Sequence, residues 1–239
     1  MSTLSIFQLP GGTPLADDRT WFNNPVIEQE LWSATSETLL MTFWATLLAG
    51  IFGLIIGVIL TATRKDGILP NKPINSVLGF IVNVGRAIPF IILMVLLINI
   101  TRMLVGQANG WQGAMVPLAL SAIPYFARMV ESNLTNVEHG KIEAAQMMGA
   151  SRFQILKDVI VREAFPTLVQ STTILAITII GYTAMAGAVG GGGLGALAIN
   201  QGYYRTQLDV LLIIVLVIIV IVSVVQVLGD MLSRLVDHR

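Results

Sequence analysis

The chain has 239 residues, of which 54% are hydrophobic and only 12% are charged. Soluble domains carry about 25% charged residues, so these charges are too few to cover a soluble surface, and a lipid bilayer is the expected solvent. The net charge is zero, which argues against a basic nucleic-acid-binding patch. The lack of cysteine excludes a disulfide scaffold, a thiol nucleophile and cysteine metal sites, and two histidines are too few for a histidine-rich metal centre.

Residues 1–37 are predicted to form a polar, partly irregular extension outside the membrane. They lack the basic segment followed by an apolar run that defines a signal peptide, and they contain several prolines, glycines and acidic residues. We expect Trp21, Phe22 and Trp32 to rest at the membrane interface, where aromatic rings concentrate. A loose tail is equally compatible with this composition.

Five stretches between charged residues are apolar and long enough to span a bilayer, which takes about 20 helical residues. They predict an all-α integral membrane domain over residues 38–236, with spans at about 38–63, 77–101, 107–130, 168–188 and 209–231. The fifth contains an aliphatic run, Val210–Val222, that would also suit a buried strand, but its length favours a helix.

The distribution of lysine and arginine predicts the orientation of the spans. One set of connections contains Arg64, Lys65, Lys72, Arg128, Lys141, Arg152, Lys157, Arg162, Arg234 and Arg239, and the other contains only Arg19, Arg102 and Arg205. Because basic residues are concentrated in cytoplasmic connections, we expect the richer set in the cytoplasm. The N-terminus then lies outside and the C-terminus inside.

The loop at 131–166 is the longest predicted cytoplasmic connection, and it has helical character. Good helix formers fill Lys141–Met148, and Gly149 follows at the position where a left-handed glycine usually ends a helix. Two explanations of this short helix stay open. It can lie flat on the membrane interface, or it can sit in a groove on a partner protein, for which Met147 and Met148 offer adaptable contacts.

At this loop the sequence resembles a known family. Glu143, Ala144 and Ala145, followed after three residues by Gly149, are similar to the EAA motif in the permease subunits of ATP-binding-cassette (ABC) importers. The family pattern continues to a proline, where this chain has Arg162, so we expect the following helix to stay unbroken until Pro166. Similarity to the methionine-importer permease subgroup extends over about residues 33–236, and it is carried by Glu37–Phe43, Arg86–Leu93, Val116–Leu118, Ala122–Glu131 and Gly181–Gly190.

The resemblance implies the fold of a type I ABC importer permease and a homodimer in a bacterial inner membrane. It also implies two ABC ATPase subunits and an extracytoplasmic substrate-binding lipoprotein as partners, with ATP bound by the ATPase subunits. This chain would then be no enzyme and would need no cofactor, metal or nucleic acid. The residues implied to couple to the ATPase are Glu143, Ala144, Ala145, Met147, Met148 and Gly149.

A cluster of glycines interrupts a stretch without charges, Ala164–Tyr204. Its spacing fits the dinucleotide-binding fingerprint as a string, but no strand precedes it, so we reject that interpretation. Irregular backbone in an apolar region must be buried or line a cavity. We predict an outer loop where the binding protein docks, with close helix packing as the alternative, at Gly190, Gly192, Gly193 and Gly195.

Four further residues are candidates for the translocation path or its gate. Arg86 is a charge in an apolar span, which favours a functional role. It could also reach the cytoplasmic interface or pair with Glu131, and Pro89 should kink or start a helix. Tyr182 and Met185 give the fourth span a soft, mildly polar face, although simple packing is the alternative for a methionine there.

Other functions remain as alternatives. A permease for another amino acid or small solute would share the same motifs. A passive channel would not need the helical loop at 131–166. An intramembrane enzyme would need paired aspartates, a serine–histidine pair or a zinc motif inside the spans, and the sequence contains none of these.

Overall fold

The computed structural model of the protein describes residues 24–236, which form helices and short turns without a strand. The predicted all-α fold is therefore confirmed for this part of the chain, and the predictions for Trp21, Phe22 and Arg239 lie outside it. The helices are α1 Pro25–Thr63, α2 Lys72–Ala87, α3 Phe90–Leu96, α4 Ile98–Val105, α5 Gly110–Thr135, α6 His139–Met147, α7 Arg152–Gln154 with a π-helix Ile155–Val161, α8 Phe165–Gly187, α9 Gly193–Leu197 with a π-helix Ala198–Tyr203, and α10 Leu208–Val236.

Four of these helices, α1, α5, α8 and α10, are each long and apolar enough to cross a membrane. Helices α2 and α3 reach that length only together, and they are bent by 100° relative to each other. The described residues therefore provide four candidate spans, or five if the bent pair counts as one. The run Val210–Val222 is helical, within α10.

The predicted second span, 77–101, is divided in the structure. Helix α2 begins earlier, at Lys72, and ends at Ala87, and Ile88 is extended with a ψ of 120°. A residue before proline is pushed out of the helical region by the proline ring, and Pro89 then caps α3. The prediction that Pro89 kinks or starts a helix is confirmed, and the break at this proline falls inside the predicted second span.

The first helix begins well before the predicted start at residue 38. Asn24 caps α1, its Oδ1 accepting from Val26 N at 3.0 Å, and its Nδ2 donates to Asp209 Oδ2 at 2.8 Å. Residues 25–37 are thus helical rather than irregular. The physical reason is an apolar face on this part of α1, which packs on α9 and α10 through Val26, Ile27, Leu31 and Ala34.

Helices α1 and α5 run parallel and form the centre of the bundle. A Cβ added at Gly57 would lie 2.5 Å from Val130 Cβ, so the two backbones approach each other closely. At one end both helices finish together, and Arg64 Nη1 donates to Thr135 Oγ1 at 2.9 Å. We call this the α6 end. At the opposite α9 end, Gly110 N donates to Gly190 O at 2.8 Å.

Candidate functional site

Helix α6, which gives its name to the α6 end of the bundle, contains the first part of the motif, from Glu143 to Met147, and Met148 and Gly149 follow in the turn after it. Only one of its faces is buried: Ala145 is buried in the main core, and the half-buried Ile142 packs beside it. The core partners on this side include Ile155 and Ile160 of the π-helix that follows α7. The helix is therefore held to the bundle along a narrow apolar stripe.

The turn after α6 is closed by two backbone hydrogen bonds. Gly149 N donates to Gln146 O at 3.0 Å, and Ala150 N donates to Ala145 O at 3.1 Å, which is the Schellman pattern. Gly149 has a φ of 81°, the left-handed conformation that the sequence predicts for it. Side chains with a Cβ rarely adopt this conformation, so the direction of the chain after α6 depends on this glycine.

The other face of α6 is open. Met147 and Met148 are 90% and 81% exposed, and Ala144 is exposed as well. Glu143 Oε1 lies 3.4 Å from His139 Nε2, and both side chains are mostly exposed, so this contact contributes little stability. An exposed helix face with two flexible methionines and a small alanine suits the groove of a partner protein.

The segment after the turn is helical from Arg152 to Glu163, so the expected helix is present, and its middle part is a π-helix. Ser151 and Gln154 form a capping box that starts α7, and residues Ile155–Val161 are π-helical. Arg162 N donates to Val159 O, a bond that a proline at this position could not make. Helix α8 begins at Phe165, with Pro166 in its first turn.

A cavity of about 250 Å³ lies behind α6. Its walls come from the end of α1, from the turn after it and from α5, α6 and the π-helix. Lining residues from α1 and the following turn are Thr61, Ala62, Arg64, Asp66, Gly67 and Ile68, and α6 contributes His139, Ile142 and Gln146. The buried side of α6 is thus incompletely packed against α1.

Arg86 lies beside the middle of α5, on the surface of the bundle, rather than at one of its ends. Its neighbour Gly85 packs on Pro124, since an added Cβ would lie 3.0 Å from Pro124 Cγ. Pro124 precedes the end of α5 at Thr135 by about 16 Å of helix. Helix α2 begins at Lys72, before the predicted span, and so places Arg86 near its far end. The suggestion that the Arg86 side chain reaches the cytoplasmic interface stays a prediction.

The suggested pairing of Arg86 with Glu131 is absent. Glu131 instead accepts a hydrogen bond from Arg128, one turn earlier on α5. Arg128 Nη2 also donates to Asn83 Oδ1 at 2.8 Å, which joins α5 to α2. Arg86 is exposed on the surface of the single chain.

The bend between α2 and α3 is joined to α8 by an aromatic pair. The rings of Phe90 and Tyr182 are stacked, with their centroids 5.1 Å apart and an interplanar angle of 3°. Pro89 immediately precedes Phe90, so it adjoins the residue whose ring stacks on Tyr182. Met185 follows Tyr182 by one helical turn and is 51% exposed.

The glycine cluster forms a tight loop between α8 and α9. Gly190, Gly192 and Gly193 have φ values of 88°, 75° and 70°, so three of these positions require glycine for the backbone alone. Gly195 is needed for packing: a Cβ there would lie 2.5 Å from Ala184 O. The loop and α9 therefore fold back against the end of α8.

The sequence interpretation missed two residues that hold this loop, Glu37 and Thr38 of α1. Glu37 Oε2 accepts from Gly193 N at 2.7 Å, and Thr38 Oγ1 accepts from Leu194 N at 2.9 Å. The partners are 156 residues apart, and no local pattern connects them. The available signal was the carboxylate of Glu37 at the edge of an apolar span.

A cleft of about 680 Å³ opens beside the glycine loop, between α1 and the π-helix 198–203. Its lining is mixed in charge, with Glu30 and Glu37 on α1 and Arg205 in the turn before α10. Gln201 donates weakly to Glu30 across it, at 3.4 Å. Within residues 24–236, no group of three or more His, Cys, Asp or Glu side chains could hold a metal ion.

Comparison with known proteins identifies similar sequences along most of the chain. Residues 49–239 match the family described as the inner membrane component of binding-protein-dependent transport systems. The probable D-methionine transport system permease MetI of Vibrio cholerae is 46% identical over 87% of this chain and 93% of its own length. The methionine import system permease MetP of Bacillus subtilis is 42% identical over 88% of this chain and 95% of its own.

A solved structure has the same fold. A chain of the MetNI methionine ABC transporter, in an inward-facing conformation, is 40% identical, with a TM-score of 0.87. The match covers 90% of this chain and all of the other. The resemblance to ABC importer permeases and the predicted type I permease fold are confirmed by these similarities.

Proposed function

The chain belongs to the family of inner membrane components of binding-protein-dependent transport systems, and we propose that it is the permease subunit of an ATP-driven methionine importer. Relatives named for methionine transport match almost their whole length to this chain. The homologous solved chain comes from a methionine ABC transporter. Two copies of the chain would form the translocation path, because a single bundle of four or five spans is too small to enclose a path for the substrate.

Helix α6 is the observation that carries this proposal. It is attached by the narrow stripe of Ala145 and Ile142, and it presents Met147 and Met148 to the outside. A helix of this kind has no use in a passive channel. It fits a groove on an ATPase subunit, with Glu143 pairing at the groove, Ala144 and Ala145 keeping the helix slim, and Gly149 setting its direction.

The α6 end then faces the cytoplasm and the α9 end faces outward. The basic residues favour this orientation, because Arg64, Lys65, Lys141 and Arg152 all lie near the α6 end. The N-terminus lies outside and the C-terminus inside, in the inner membrane of a bacterium. ATP is bound and hydrolysed by the two partner ATPase subunits, and this chain carries no cofactor.

Transport proceeds by alternating access. ATP binding closes the two ATPase subunits, and their grooves draw the two α6 helices together. The membrane helices follow, so that the path opens outward and receives substrate from the binding protein. Hydrolysis then returns the path to its inward-facing state.

The remaining candidate residues take roles along this path. Arg86 and Pro89 lie at the bend between α2 and α3, and the Phe90–Tyr182 stack joins that bend to α8. Tyr182 and Met185 then line the gate. The loop of Gly190, Gly192, Gly193 and Gly195, with the cleft beside it, receives the binding protein.

Assembly with the ATPase tests the role of α6. We expect Glu143→Lys to reduce co-purification with the ATPase subunit and to lower transport, while insertion into the membrane persists. Glu138→Lys is the matched control, since Glu138 is exposed just before α6 and outside the motif. Unchanged ATP-coupled transport in the Glu143→Lys variant would contradict the assignment of this helix.

Uptake of labelled methionine tests the substrate separately. In a strain without other methionine importers, the chain together with its ATPase and its binding protein should restore uptake that depends on ATP. Restored uptake of another amino acid, with none of methionine, would refute the substrate while leaving the permease function intact.

A further inference from the structure

We propose that α1 is the rigid link that carries binding-protein docking at the α9 end to the ATPase contact at the α6 end, with Glu37 as its positioning residue. We base this on the proposed function, and it adds a route by which the two partners of the permease sense each other. Three groups of contacts support it, one at each end of α1 and one in the middle.

At the outer end, the glycine loop sits directly on α1. The Glu37 carboxylate accepts the Gly193 N–H and the Thr38 hydroxyl accepts the Leu194 N–H, at 2.7 and 2.9 Å. A hydrogen bond to an ionised carboxylate is shorter and stronger than one between neutral groups. These bonds leave little room for the loop to shift on its own, because a Cβ at Gly192 would already lie 2.7 Å from Glu37 Oε2.

The part of α1 that precedes Glu37 is also held in place by contacts with α9 and α10. Asn24 ties the start of the helix to Asp209 of α10, and Ala34 is buried with Leu194 and Leu197 of α9. A protein that docks on the glycine loop or in the cleft beside it therefore contacts a surface that is either formed by α1 or hydrogen-bonded to it. Displacing this surface displaces the helix.

In the middle, α1 has the properties of a stiff element. It is one unbroken helix of 39 residues, about 58 Å long, and its only proline is at the first position, where it does not disturb the helix. It packs on α5 at Gly53 and Gly57, where added Cβ atoms would lie 2.9 Å from Phe126 Cδ1 and 2.5 Å from Val130 Cβ. Helices in such close contact move as a pair.

At the inner end, α1 reaches the wall of the cavity behind α6. Ala62 O accepts from Leu69 N at 2.9 Å, which folds the following turn back onto the helix. Arg64 donates to Thr135, the last residue of α5, four residues before α6 begins. The cavity of about 250 Å³ between Thr61 and Ile142 gives α6 space to approach or leave α1.

The test measures ATP hydrolysis by the full complex, with and without its substrate-loaded binding protein. We expect Glu37→Ala to lower the ratio of stimulated to basal hydrolysis about tenfold, the factor that a loss of one strong hydrogen bond produces in an equilibrium. Glu37→Gln should restore most of the ratio, since its amide oxygen can still accept from Gly193 N. Glu28→Gln is the matched control, on an exposed residue in the first turn of the same helix.

Thr38→Val provides a second variant if Glu37→Ala does not assemble, since it removes the acceptor for Leu194 N and keeps the shape of the side chain. An unchanged ratio in both variants overturns the proposal, and so does a proportional fall of the basal and stimulated rates, which would mean a structural role only. Failure of the proposed function is distinct: the wild-type chain would then neither bind an ATPase nor respond to a binding protein.

Discussion

The contact of α1 with α5 gives the sharpest prediction, because two glycines in the same helix have opposite surroundings. At Gly57 an added Cβ would lie 2.5 Å from Val130 Cβ and 2.7 Å from Ala127 O, about 1 Å closer than an ordinary contact. At Gly50 an added Cβ would meet nothing within 4 Å. We therefore compare Gly57→Ala with Gly50→Ala.

The two substitutions should change the free energy of unfolding in opposite directions. Gly50→Ala should raise the free energy of unfolding by about 1 kcal/mol, the difference between glycine and alanine in a helix. Gly57→Ala gains the same amount, but it must also separate α1 from α5. Overpacking of this kind costs about 1–3 kcal/mol, and the atoms in the way belong to a β-branched side chain and to a backbone carbonyl, which yield little. The net result should be a loss of up to about 2 kcal/mol.

Unfolding of the detergent-solubilised chain with SDS, followed by tryptophan fluorescence, measures both values. The wild-type chain and the two variants are compared at equal detergent concentration, after a check that each is monodisperse. If Gly57→Ala proved as stable as Gly50→Ala, the close packing of α1 on α5 would be refuted, and with it the stiffness of that pair.

Three further predictions concern the turn after α6, the start of α1 and the bend before α3. Gly149→Val forces a β-branched residue into a φ of 81°, at a cost of about 1–2 kcal/mol, and it should weaken co-purification with the ATPase. The control Gly140→Ala places its methyl group in open space and should leave co-purification unchanged. Equal binding of the ATPase by both variants would contradict the role of the turn. Asn24→Ala removes the N-cap of α1 and a hydrogen bond to α10. In the same SDS assay it should lower the free energy of unfolding by about 1 kcal/mol or slightly more. An unchanged value would mean that residues 25–37 do not contribute to stability. Phe90→Leu breaks the ring stack with Tyr182, which is worth about 0.5–1.5 kcal/mol, and it should alter methionine uptake without reducing insertion into the membrane. Unaltered uptake would mean that the bend between α2 and α3 has no part in the gate.

Short-range sequence patterns predicted those features that depend only on neighbouring residues. The aliphatic run Val210–Val222 is helical because its length and hydrophobicity leave few alternatives in a membrane. Gly149 ends α6 in the left-handed conformation because glycine adopts it at little cost. Pro89 starts a helix because its ring excludes the preceding residue from the helical region.

The features that the sequence interpretation missed depend on contacts between distant segments. Residues 25–37 have a polar composition, and they are helical because Leu31 and Ala34 find apolar partners on α9 and α10. The contact between Gly85 and Pro124 joins α2 to α5, and no short-range pattern predicts it. The bond of Glu37 to Gly193 joins residues whose neighbours in sequence carry no common pattern.

The exposed methionines of α6 have a chemical consequence for a chain that has not yet found its partners. Met147 and Met148 are open to oxidants in the single chain, and conversion to the sulfoxide would make each side chain polar and less able to adapt to an apolar groove. A groove that covers them would shield both thioethers. The rate at which these two sulfurs are oxidised should therefore report how much of the permease is assembled, and reductases that repair methionine sulfoxide could return an oxidised chain to the assembly pool.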